Sequence, residues 1–578
     1  MIKNWKVKDA PPDEFKNKFE GQHPIVTQLL YNRGLESQSE IDDFFDPGYE
    51  KIHDPFLFRD MKKAVERVWQ AIEKKEKILI HGDYDADGVT SSAIVFRTLK
   101  LLGADAQVFI PHRETDGYGL NMNNLNTFIA QKAKLLITVD CGITNVDEIA
   151  YLTEKGVDVI VTDHHEPPEV LPKPFATLDP KVGGSGYPFQ ELAGAGVAYK
   201  LVQAILSDTE KLSKYENEFM TFGGVAGFQK WLLDIVAIGT VADVSPIIGE
   251  NRVLVKWGLK VLEKTRWVGL QKLLESIGSK GINSFTIGFQ LAPRLNAAGR
   301  MNHASVAYEL LVSDDALESE RIAQELQENN QARQQVIIGA LEEATAQLEE
   351  IEKKKIIFVY NENWLPGIVG LIAGRLADKY YRPAVAMTLC NGNVTGSGRS
   401  IDEFNITEGL RTVSDHLARF GGHPGACGFT LNEVEVREQF ENDFTLHAEK
   451  ELADLDLQPV LEVDAEVKTS QIDFDFLAQL EKFSPFGERN PKPLFIINNL
   501  QVVAMDAIGK DKTHLRINFK QDGPQLYKML WFGKAKEWLE KLRVGDTIDV
   551  VCELGINEWN GNREFEFKAV DMKVKGKR

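Results

Sequence analysis

The feature that most constrains this fold is a series of short apolar runs, each followed by acidic residues or histidines. Runs that are apolar throughout predict strands covered on both faces, as in a parallel sheet with helices on either side. The intervening stretches read as helices, which gives the βα rhythm of an α/β fold. The runs and the polar residues after them are 77–80 before 81–88, 134–139 before Asp140, and 157–161 before 163–165.

These polar residues are expected to meet at one edge of the sheet, because ligand sites in open parallel sheets lie beyond the carboxyl ends of the strands. Asp83, Asp85 and Asp87 stand at alternate positions, where like charges repel one another unless cations neutralise them. Asp140 follows the second run, and Asp243 ends a further apolar stretch. The cluster predicts a metal site, although a solvated acidic turn or a set of helix caps would use the same residue types.

The chemistry of the predicted ligands indicates the metal and the reaction. Carboxylates and imidazoles without a convincing thiolate suit Mn²⁺ or Mg²⁺ better than structural zinc. Five or six protein ligands exceed the usual share of one small ion, so two divalent cations are expected. A bridging aspartate between them would hold a hydroxide for in-line attack on phosphorus. The sequence therefore predicts phosphoester hydrolysis.

The rest of the chain divides by composition. Residues 1–55 form a polar N-terminal segment, 56–314 the catalytic α/β domain, and 315–353 a long polar helix that reads as a connector. Residues 354–455 repeat the βα pattern in a second α/β domain. Alternating runs and a turn at 559–562 predict that 456–578 form a small antiparallel barrel, for which an OB-fold is the favoured candidate.

Composition limits the classes of function. The net charge of −19, from 67 basic and 86 acidic residues, argues against a protein that coats nucleic acid indiscriminately, although a basic groove in an acidic protein can still bind a polyanion. The four cysteines are scattered and fit reduced thiols. Without an apolar run of about 20 residues or a signal-like start, a membrane role is not expected, and the cytoplasm is the expected location.

The ordered motifs resemble those of the DHH phosphoesterase superfamily. They are Asp83-x-Asp85-x-Asp87-Gly88, Asp140, Asp163-His164-His165 and Asp243. The resemblance implies that Asp83, Asp85, Asp87, Asp140, His164 and Asp243 are metal ligands and that His165 contacts the scissile phosphate. His81 is ambiguous, because it would equally serve as a strand-end residue with a local hydrogen bond.

Two further segments, 111–120 and 293–301, resemble the RecJ family of exonucleases within that superfamily, and the similarity extends over almost the whole chain. Arginine pairs bidentately with phosphate oxygens, so Arg113, Arg294 and Arg300 are candidate phosphate contacts, with Asn296 in support. Any of these arginines could instead form a structural salt bridge. The second α/β domain resembles the DHH-associated domain through glycine-rich loops that carry Ser397, Arg399 and His423, predicted to clamp the substrate.

The barrel sequence combines aromatic residues with lysines, a combination typical of single-strand binding by base stacking. Tyr527, Trp531 and Trp559 are the candidate stacking residues, although some of the barrel aromatics must form its core.

The family resemblance implies a single-stranded-DNA-specific exonuclease that acts 5′→3′ in DNA repair and recombination and prefers a 5′-phosphate. Single-strand-binding protein and a helicase are implied partners, and a monomer is expected. One alternative is a DHH phosphodiesterase acting on short oligoribonucleotides or cyclic dinucleotides, which would need only the two α/β domains. Another is a non-catalytic DNA-binding member, against which the intact metal motifs argue.

Overall fold

The computed structural model describes residues 3–279, 281–348, 350–351, 354–559 and 561–576, except for the side chain of Trp559. The chain separates into two compact units. One is Tyr49–Leu457, and the other combines the residues before Tyr49 with those from Gln458 onward.

The N-terminal residues form one strand and three helices: β1 (Asn4–Val7), α1 (Asp13–Lys18), α2 (Pro24–Asn32) and α3 (Gln38–Phe45). Ser37 and Glu40 form a capping box that fixes the start of α3. The apolar side chains of α1 and α2 share a hydrophobic core with the C-terminal barrel. This stretch therefore packs as part of the second unit, which its sequence does not reveal.

The first α/β domain contains the predicted parallel sheet, which is confirmed. All neighbouring strands run parallel in the order β3-β2-β4-β5-β6. β2 and β4 are buried along their whole length, which explains their continuous apolar sequence. The elements are α4 (Met61–Glu73), β2 (Ile78–Gly82), α5 (Ala86–Leu101), β3 (Ala106–Phe109), α6 (Met122–Ala130), β4 (Leu135–Val139), α7 (Val146–Glu154), β5 (Asp158–Thr162) and β6 (Ala176–Leu178).

Helices complete this domain and lead out of it. They are α8 (Gly194–Ile205), α9 (Thr209–Leu212), α10 (Glu216–Phe219), α11 (Val225–Trp231), α12 (Leu233–Ala242), α13 (Gly249–Leu262), α14 (Val268–Ile277), α15 (Ala292–Met301), α16 (Ser305–Val312) and α17 (Ala316–Ala346). A π-helical turn, Thr286–Leu291, runs directly into α15. Helix α17 forms within the range predicted for a long helix.

One stretch of the described residues, Val225–Ala242, has the length and composition of a membrane span. Its second half is α12, which packs against α5, α8 and α13 in the largest hydrophobic core. The apolar character of α12 is thus that of a core helix.

The second α/β domain has a mixed sheet in the order β10-β11-β9-β8-β7, in which only β7 and β8 are parallel to each other. Its elements are β7 (Ile357–Tyr360), α18 (Pro366–Tyr380), β8 (Ala384–Cys390), β9 (Asn393–Arg399), α19 (Ile406–Thr412), β10 (Leu417–His423), β11 (Ala426–Leu431) and α20 (Arg437–Glu451).

The C-terminal residues form the predicted barrel, which is confirmed. β14, β15, β16, β18 and β17 pair in that order, and β14 pairs again with β17 to close it. Trp559 pairs with Asn562 at the predicted hairpin end, where Asn560 lies outside the described residues. The elements are β12 (Val460–Val463), β13 (Ala465–Glu466), α21 (Phe474–Glu481), β14 (Phe495–Ile508), β15 (His514–Lys520), β16 (Tyr527–Trp531), α22 (Ala535–Trp538), β17 (Thr547–Trp559) and β18 (Asn562–Val574).

Candidate metal centre

The carboxyl ends of three neighbouring strands bring the predicted acidic residues together. Asp83 follows β2, Asp140 follows β4 and Asp163 follows β5. Asp140 has a left-handed backbone with φ 60° and donates its N–H to the carbonyl of Thr162 at 3.0 Å. Aspartate tolerates this conformation better than most residues. The turn after β4 therefore holds Asp140 beside the end of β5.

Asp85 and Asp87 are oriented by helix N-termini. The Asp85 carboxylate caps α5 by accepting the N–H groups of Asp87 at 2.9 Å and Gly88 at 3.1 Å. The buried Asp87 carboxylate accepts the N–H groups of Gly194 at 2.7 Å and Ala195 at 2.9 Å, at the start of α8. The positive end of that helix stabilises its negative charge.

His164 completes the cluster with Asp243, which lies just after α12. Its Nε2 lies 3.0 Å from Oδ1 of Asp140 and 3.9 Å from Oδ2 of Asp87, while its Nδ1 lies 4.0 Å from Oδ2 of Asp243. Ser245 donates a hydrogen bond of 2.6 Å to that same oxygen of Asp243. The predicted ligand residues thus converge on one small volume.

Three atoms of this cluster are buried and make no hydrogen bond within the described part of the chain. They are Oδ1 of Asp83, and Oδ1 of Asp140 and Nε2 of His164, which lie 3.0 Å apart without hydrogen-bond geometry. A buried polar atom without a partner is costly and rare in folded proteins. Ligand atoms of three overlapping sets lie within 4.8 Å of one another: Asp83/Asp85/Asp140, Asp87/His164/Asp243 and Asp140/His164/His165. This arrangement of free lone pairs fits cation binding.

The electrostatics support the same conclusion. Burial raises the pKa of Asp83 to about 8, and the charge of Asp85 adds to the rise. Burial, followed by the charges of neighbouring carboxylates, raises the pKa values of Asp87 and Asp140 well above their usual range. Bound cations would lower these pKa values again, because a nearby positive charge favours the ionised carboxylate. Cys141 directs its thiol to the carbonyl oxygen of His81 at 3.7 Å, so the donors are oxygen and imidazole, as Mn²⁺ or Mg²⁺ prefers.

His165 is held by two neighbours at the rim of the cluster. Its Nδ1 lies 2.8 Å from Oδ1 of Asp163 and 3.0 Å from the hydroxyl of Tyr118. Burial alone would lower the pKa of His165, but the hydrogen bond and charge of Asp163 raise it to about 9. The contact with Asp163 favours the protonated ring, which is suited to contact an anion.

His81, in contrast, is not part of the cluster. It is fully buried, its Nε2 lies 3.1 Å from the carbonyl oxygen of Gly119, and its ring stacks on Phe109. Burial lowers its pKa to about 4, so the ring is neutral. The structure matches the local hydrogen-bonding alternative for this residue.

A group of arginines lies beside the acidic cluster. The Arg113 guanidinium stacks on the Tyr84 ring at 3.9 Å, and Arg300 donates to the carbonyl of Gly367 at 2.9 Å. Burial lowers the pKa of Arg300 to about 9, and the positive charges of Arg113, Arg333 and Arg399 contribute to the fall. Three guanidinium groups whose charges act on a fourth, Arg300, favour a bound anion such as phosphate.

Arg294 and Asn296 have structural contacts. Arg294 donates to Oε1 of Gln327 at 2.7 Å and to the carbonyl of Gln290 at 2.6 Å. Oδ1 of Asn296 accepts the N–H of Ala86 at 2.8 Å, so Asn296 supports the acidic loop from behind.

The predicted clamp residues lie on the sheet of the second α/β domain. Arg399 donates to Oγ of Ser397 at 2.9 Å, and Ser397 donates to the carbonyl of Cys427 at 2.9 Å. His423 is exposed at the end of β10, where its carbonyl accepts a hydrogen bond from Thr407 at 2.7 Å. The structure thus places Arg399 near Arg300, whereas His423 is exposed at the end of strand β10.

One prediction for the barrel is wrong. Trp531 is only 4% exposed and belongs to the barrel core, so its ring cannot stack on a base. Tyr527 is half-buried and stacks on Phe519 at 5.6 Å, with Phe565 at 6.4 Å. The side chain of Trp559 lies outside the described residues.

Sequence reasoning missed three residues around the cluster. Tyr118 contacts His165, Arg333 belongs to the arginine group, and the buried Asp179 follows the short strand β6 at the same sheet edge. The sequence could have indicated Asp179, because this residue directly follows a strand, as Asp140 does. Arg333 gave no signal, because it stands in a polar helix among similar residues.

Three family models match successive parts of the chain. They are the DHH family N-terminal domain over residues 77–240, the DHHA1 domain over 339–449 and the RecJ OB domain over 463–571.

Named relatives match over nearly the whole chain. The single-stranded-DNA-specific exonuclease RecJ of Bacillus subtilis is 37% identical, and the match covers 99% of this chain and 71% of the relative. The crystal structure of RecJ in complex with Mn²⁺ from Thermus thermophilus has a TM-score of 0.81 at 29% identity, covering 99% of this chain and 79% of that one. The Mg²⁺ complex from the same organism has a TM-score of 0.75 at 27% identity, covering 100% and 79%. Identity, coverage and architecture agree that this chain belongs to the RecJ family of single-stranded-DNA-specific exonucleases.

Proposed function

We propose that this protein is a metal-dependent exonuclease that degrades single-stranded DNA from its 5′ end by phosphodiester hydrolysis. The observation that carries the proposal is the set of buried, unsatisfied ligand atoms on Asp83, Asp140 and His164 next to a group of arginines. Such a site combines a place for cations with a place for phosphate. Membership of the RecJ family supports single-stranded DNA as the substrate.

The proposed ligands lie together at the sheet edge: Asp83, Asp85, Asp87, Asp140, His164 and Asp243 would hold two divalent cations, Mn²⁺ or Mg²⁺. A bound cation pair supplies an activated water and neutralises charge that develops on the scissile phosphate. Asp163 keeps His165 protonated at Nδ1, so that the charged ring contacts a phosphate oxygen. Asn296 and the first turn of α8 fix the orientation of the acidic loop.

The proposed strand contacts lie on the two α/β domains and on the barrel. Arg113, Arg300 and Arg399 hold phosphate near the cations, with Ser397 orienting Arg399. Arg294 acts through the packing of α15 against α17. The barrel binds bases of single-stranded DNA through Tyr527 and Trp559, and His423, exposed at the end of β10, is a further substrate contact.

We extend the proposal to the biological setting. The enzyme acts in the cytoplasm as a monomer, in DNA repair and recombination, on strands supplied by a helicase and covered by single-strand-binding protein. The functional domains are the catalytic domain at 56–314, the associated domain at 354–455 joined by the connector at 315–353, and the strand-binding domain from 456.

The test is Mn²⁺-dependent digestion of long DNA labelled at the 5′ or the 3′ end, both single- and double-stranded. We expect rapid release of the 5′ label from single strands and loss of this activity in Asp140→Ala. Asp147→Ala, which removes an exposed carboxylate from the first turn of α7, is the matched control and should keep full activity.

Two outcomes would contradict the proposal in different ways. Cleavage of short oligoribonucleotides or cyclic dinucleotides alone would leave the metal site standing but remove single-stranded DNA as the substrate. Equal cleavage of duplex and single strands would remove the strand specificity.

A further inference from the structure

A cleft of about 360 Å³ lies beside Arg300, and the proposed hydrolysis does not account for its other residues. It is lined by His112, Glu114, Gly299, Arg300, Met301, Asn302 and His303. Its volume is near the lower end of the range for small-molecule sites, about 300–1,000 Å³. The residue after His112 is Arg113, which stacks on Tyr84 in the acidic loop. The cleft therefore lies next to the arginines proposed to bind phosphate. A nucleotide whose phosphate contacts these arginines could place its base in the cleft.

The two imidazoles of this cleft have fixed hydrogen-bonding roles. Nδ1 of His112 accepts the N–H groups of Glu114 at 3.2 Å and Thr115 at 3.3 Å. Nδ1 of His303 accepts the N–H of Ser305 at 3.1 Å. A ring nitrogen that accepts carries no proton, so each neutral ring carries its proton on Nε2 and offers an N–H donor. The ring centroids are 5.7 Å apart, so both imidazoles belong to the same cleft.

This tautomer excludes a metal site at the histidine pair. A metal ligand needs a free lone pair on the nitrogen that binds, and here Nε2 holds a proton while Nδ1 is engaged. Burial and the neighbouring His112 lower the pKa of His303, which favours the neutral ring. The cleft consequently offers two imidazole N–H donors, and the exposed Glu114 carboxylate adds an acceptor.

Glu114 also argues against a phosphate as the occupant, because its negative charge repels an anion. A nucleobase fits better, since its edges alternate neutral donors and acceptors. Guanine presents two neighbouring acceptors, O6 and N7. Its N1–H and N2–H₂ groups lie next to them and match a carboxylate. Adenine has an amino donor where guanine has the acceptor O6. That donor would face a histidine N–H, and both groups would stay unpaired.

We propose that His112, His303 and Glu114 form a guanine-selective nucleobase subsite beside the phosphate-binding arginines. The histidines donate from Nε2 to O6 and N7, Glu114 accepts from N1–H and N2–H₂, and Met301 lies against the base. This inference rests on the proposed function for its place in the reaction, where it makes the enzyme dwell at guanines. Its binding chemistry is independent of hydrolysis.

The direct test is calorimetric binding of dGMP, dAMP, dTMP and dCMP to the full chain in Mn²⁺. We expect dGMP to bind at least about tenfold more tightly than the other three, the discrimination typical of paired base contacts. The variant His112→Asn/His303→Asn keeps an oxygen that can accept the backbone N–H groups but lacks the outward donors, and it should lose the preference. His112→Gln/His303→Gln keeps outward N–H groups and should retain part of it.

Glu114→Gln provides an independent check, because an amide cannot accept hydrogen bonds from both N1–H and N2–H₂ of guanine. The guanine preference of this variant should fall. Equal affinity for all four nucleotides, or an undiminished preference in His112→Asn/His303→Asn, would overturn the inference. Loss of a 5′ label from single strands would still support the proposed function in that case. Guanine-selective binding without nuclease activity would instead preserve the subsite and reject the proposed function.

Discussion

At the scale of single residues, the acidic cluster depends on close packing that only a glycine permits. A Cβ on Gly194 would lie 2.6 Å from Oδ1 of Asp140. We expect Gly194→Ala to displace Asp140 and lower kcat/KM on single-stranded DNA about a hundredfold, as misplacements of about 1 Å do. Steady-state digestion, with circular dichroism to confirm folding, measures the effect.

The control for this substitution is Gly339→Ala, in the middle of α17, where an added Cβ meets nothing within 4 Å. It should leave activity unchanged and stabilise the protein by up to about 1 kcal/mol, because alanine is the better helix former. Full activity in Gly194→Ala would mean that the position of Asp140 does not matter to the reaction.

At the scale of secondary-structure elements, a buried ion pair joins α8, α13 and the loop before α4. Lys200 pairs with Glu250 and donates to the carbonyl of His53 at 2.7 Å, while Glu250 accepts from the hydroxyl of Tyr187 at 2.7 Å. Lys200→Met leaves the Glu250 charge buried without its partner. We expect it to lower the free energy of unfolding by about 3–5 kcal/mol in urea denaturation.

Two comparisons isolate this effect. Lys200→Met/Glu250→Leu removes both charges and should recover much of the lost stability. The attraction within a buried ion pair does little more than offset the cost of desolvating both charges. Lys272→Met breaks an exposed pair with Glu275 on α14 and should cause no measurable change. A Lys200→Met protein as stable as the wild type would show that Glu250 becomes neutral at little cost.

At the scale of the whole molecule, the N-terminal residues and the barrel form one unit from opposite ends of the chain. His23 stacks on Phe476 with ring centroids 4.4 Å apart, and Asn32 donates to the Asp464 carboxylate at 3.0 Å. A protein of residues 1–457 would therefore expose the apolar faces of α1 and α2. We expect it to aggregate and bind a hydrophobic dye, whereas residues 49–457 stay monodisperse.

Size-exclusion chromatography and dye fluorescence distinguish the two proteins. Equal behaviour would mean that α1 and α2 are stable without the barrel. Residues 49–457 should also keep the cation site, because every proposed ligand lies within that unit. They should lose activity on long strands, since the barrel is absent.

Local pattern alone predicted the acidic cluster and the sheet. Asp83 and Asp140 follow buried strands, and parallel topology dictates where strand ends meet, so their convergence needed no coordinates. The barrel was equally visible, because alternating side chains and a turn are properties of neighbouring residues.

Contacts between distant residues were beyond the sequence. Arg333 joins the arginine group only because α17 passes beside α15, and Asn296 supports the acidic loop across more than two hundred residues. Trp531 and Tyr527 look alike in sequence, yet the barrel buries the first in its core and leaves the second half-exposed. Which face of a strand turns inward depends on the register of its partners.

The sequence by itself thus determined the fold class, the acidic cluster and the family, because each depends on short motifs in a fixed order. Tertiary structure alone decided which polar atoms are left unpaired, which tautomers His112 and His303 adopt, and that the N-terminal helices pack with the barrel. These depend on packing between residues far apart in the chain, which no local pattern encodes.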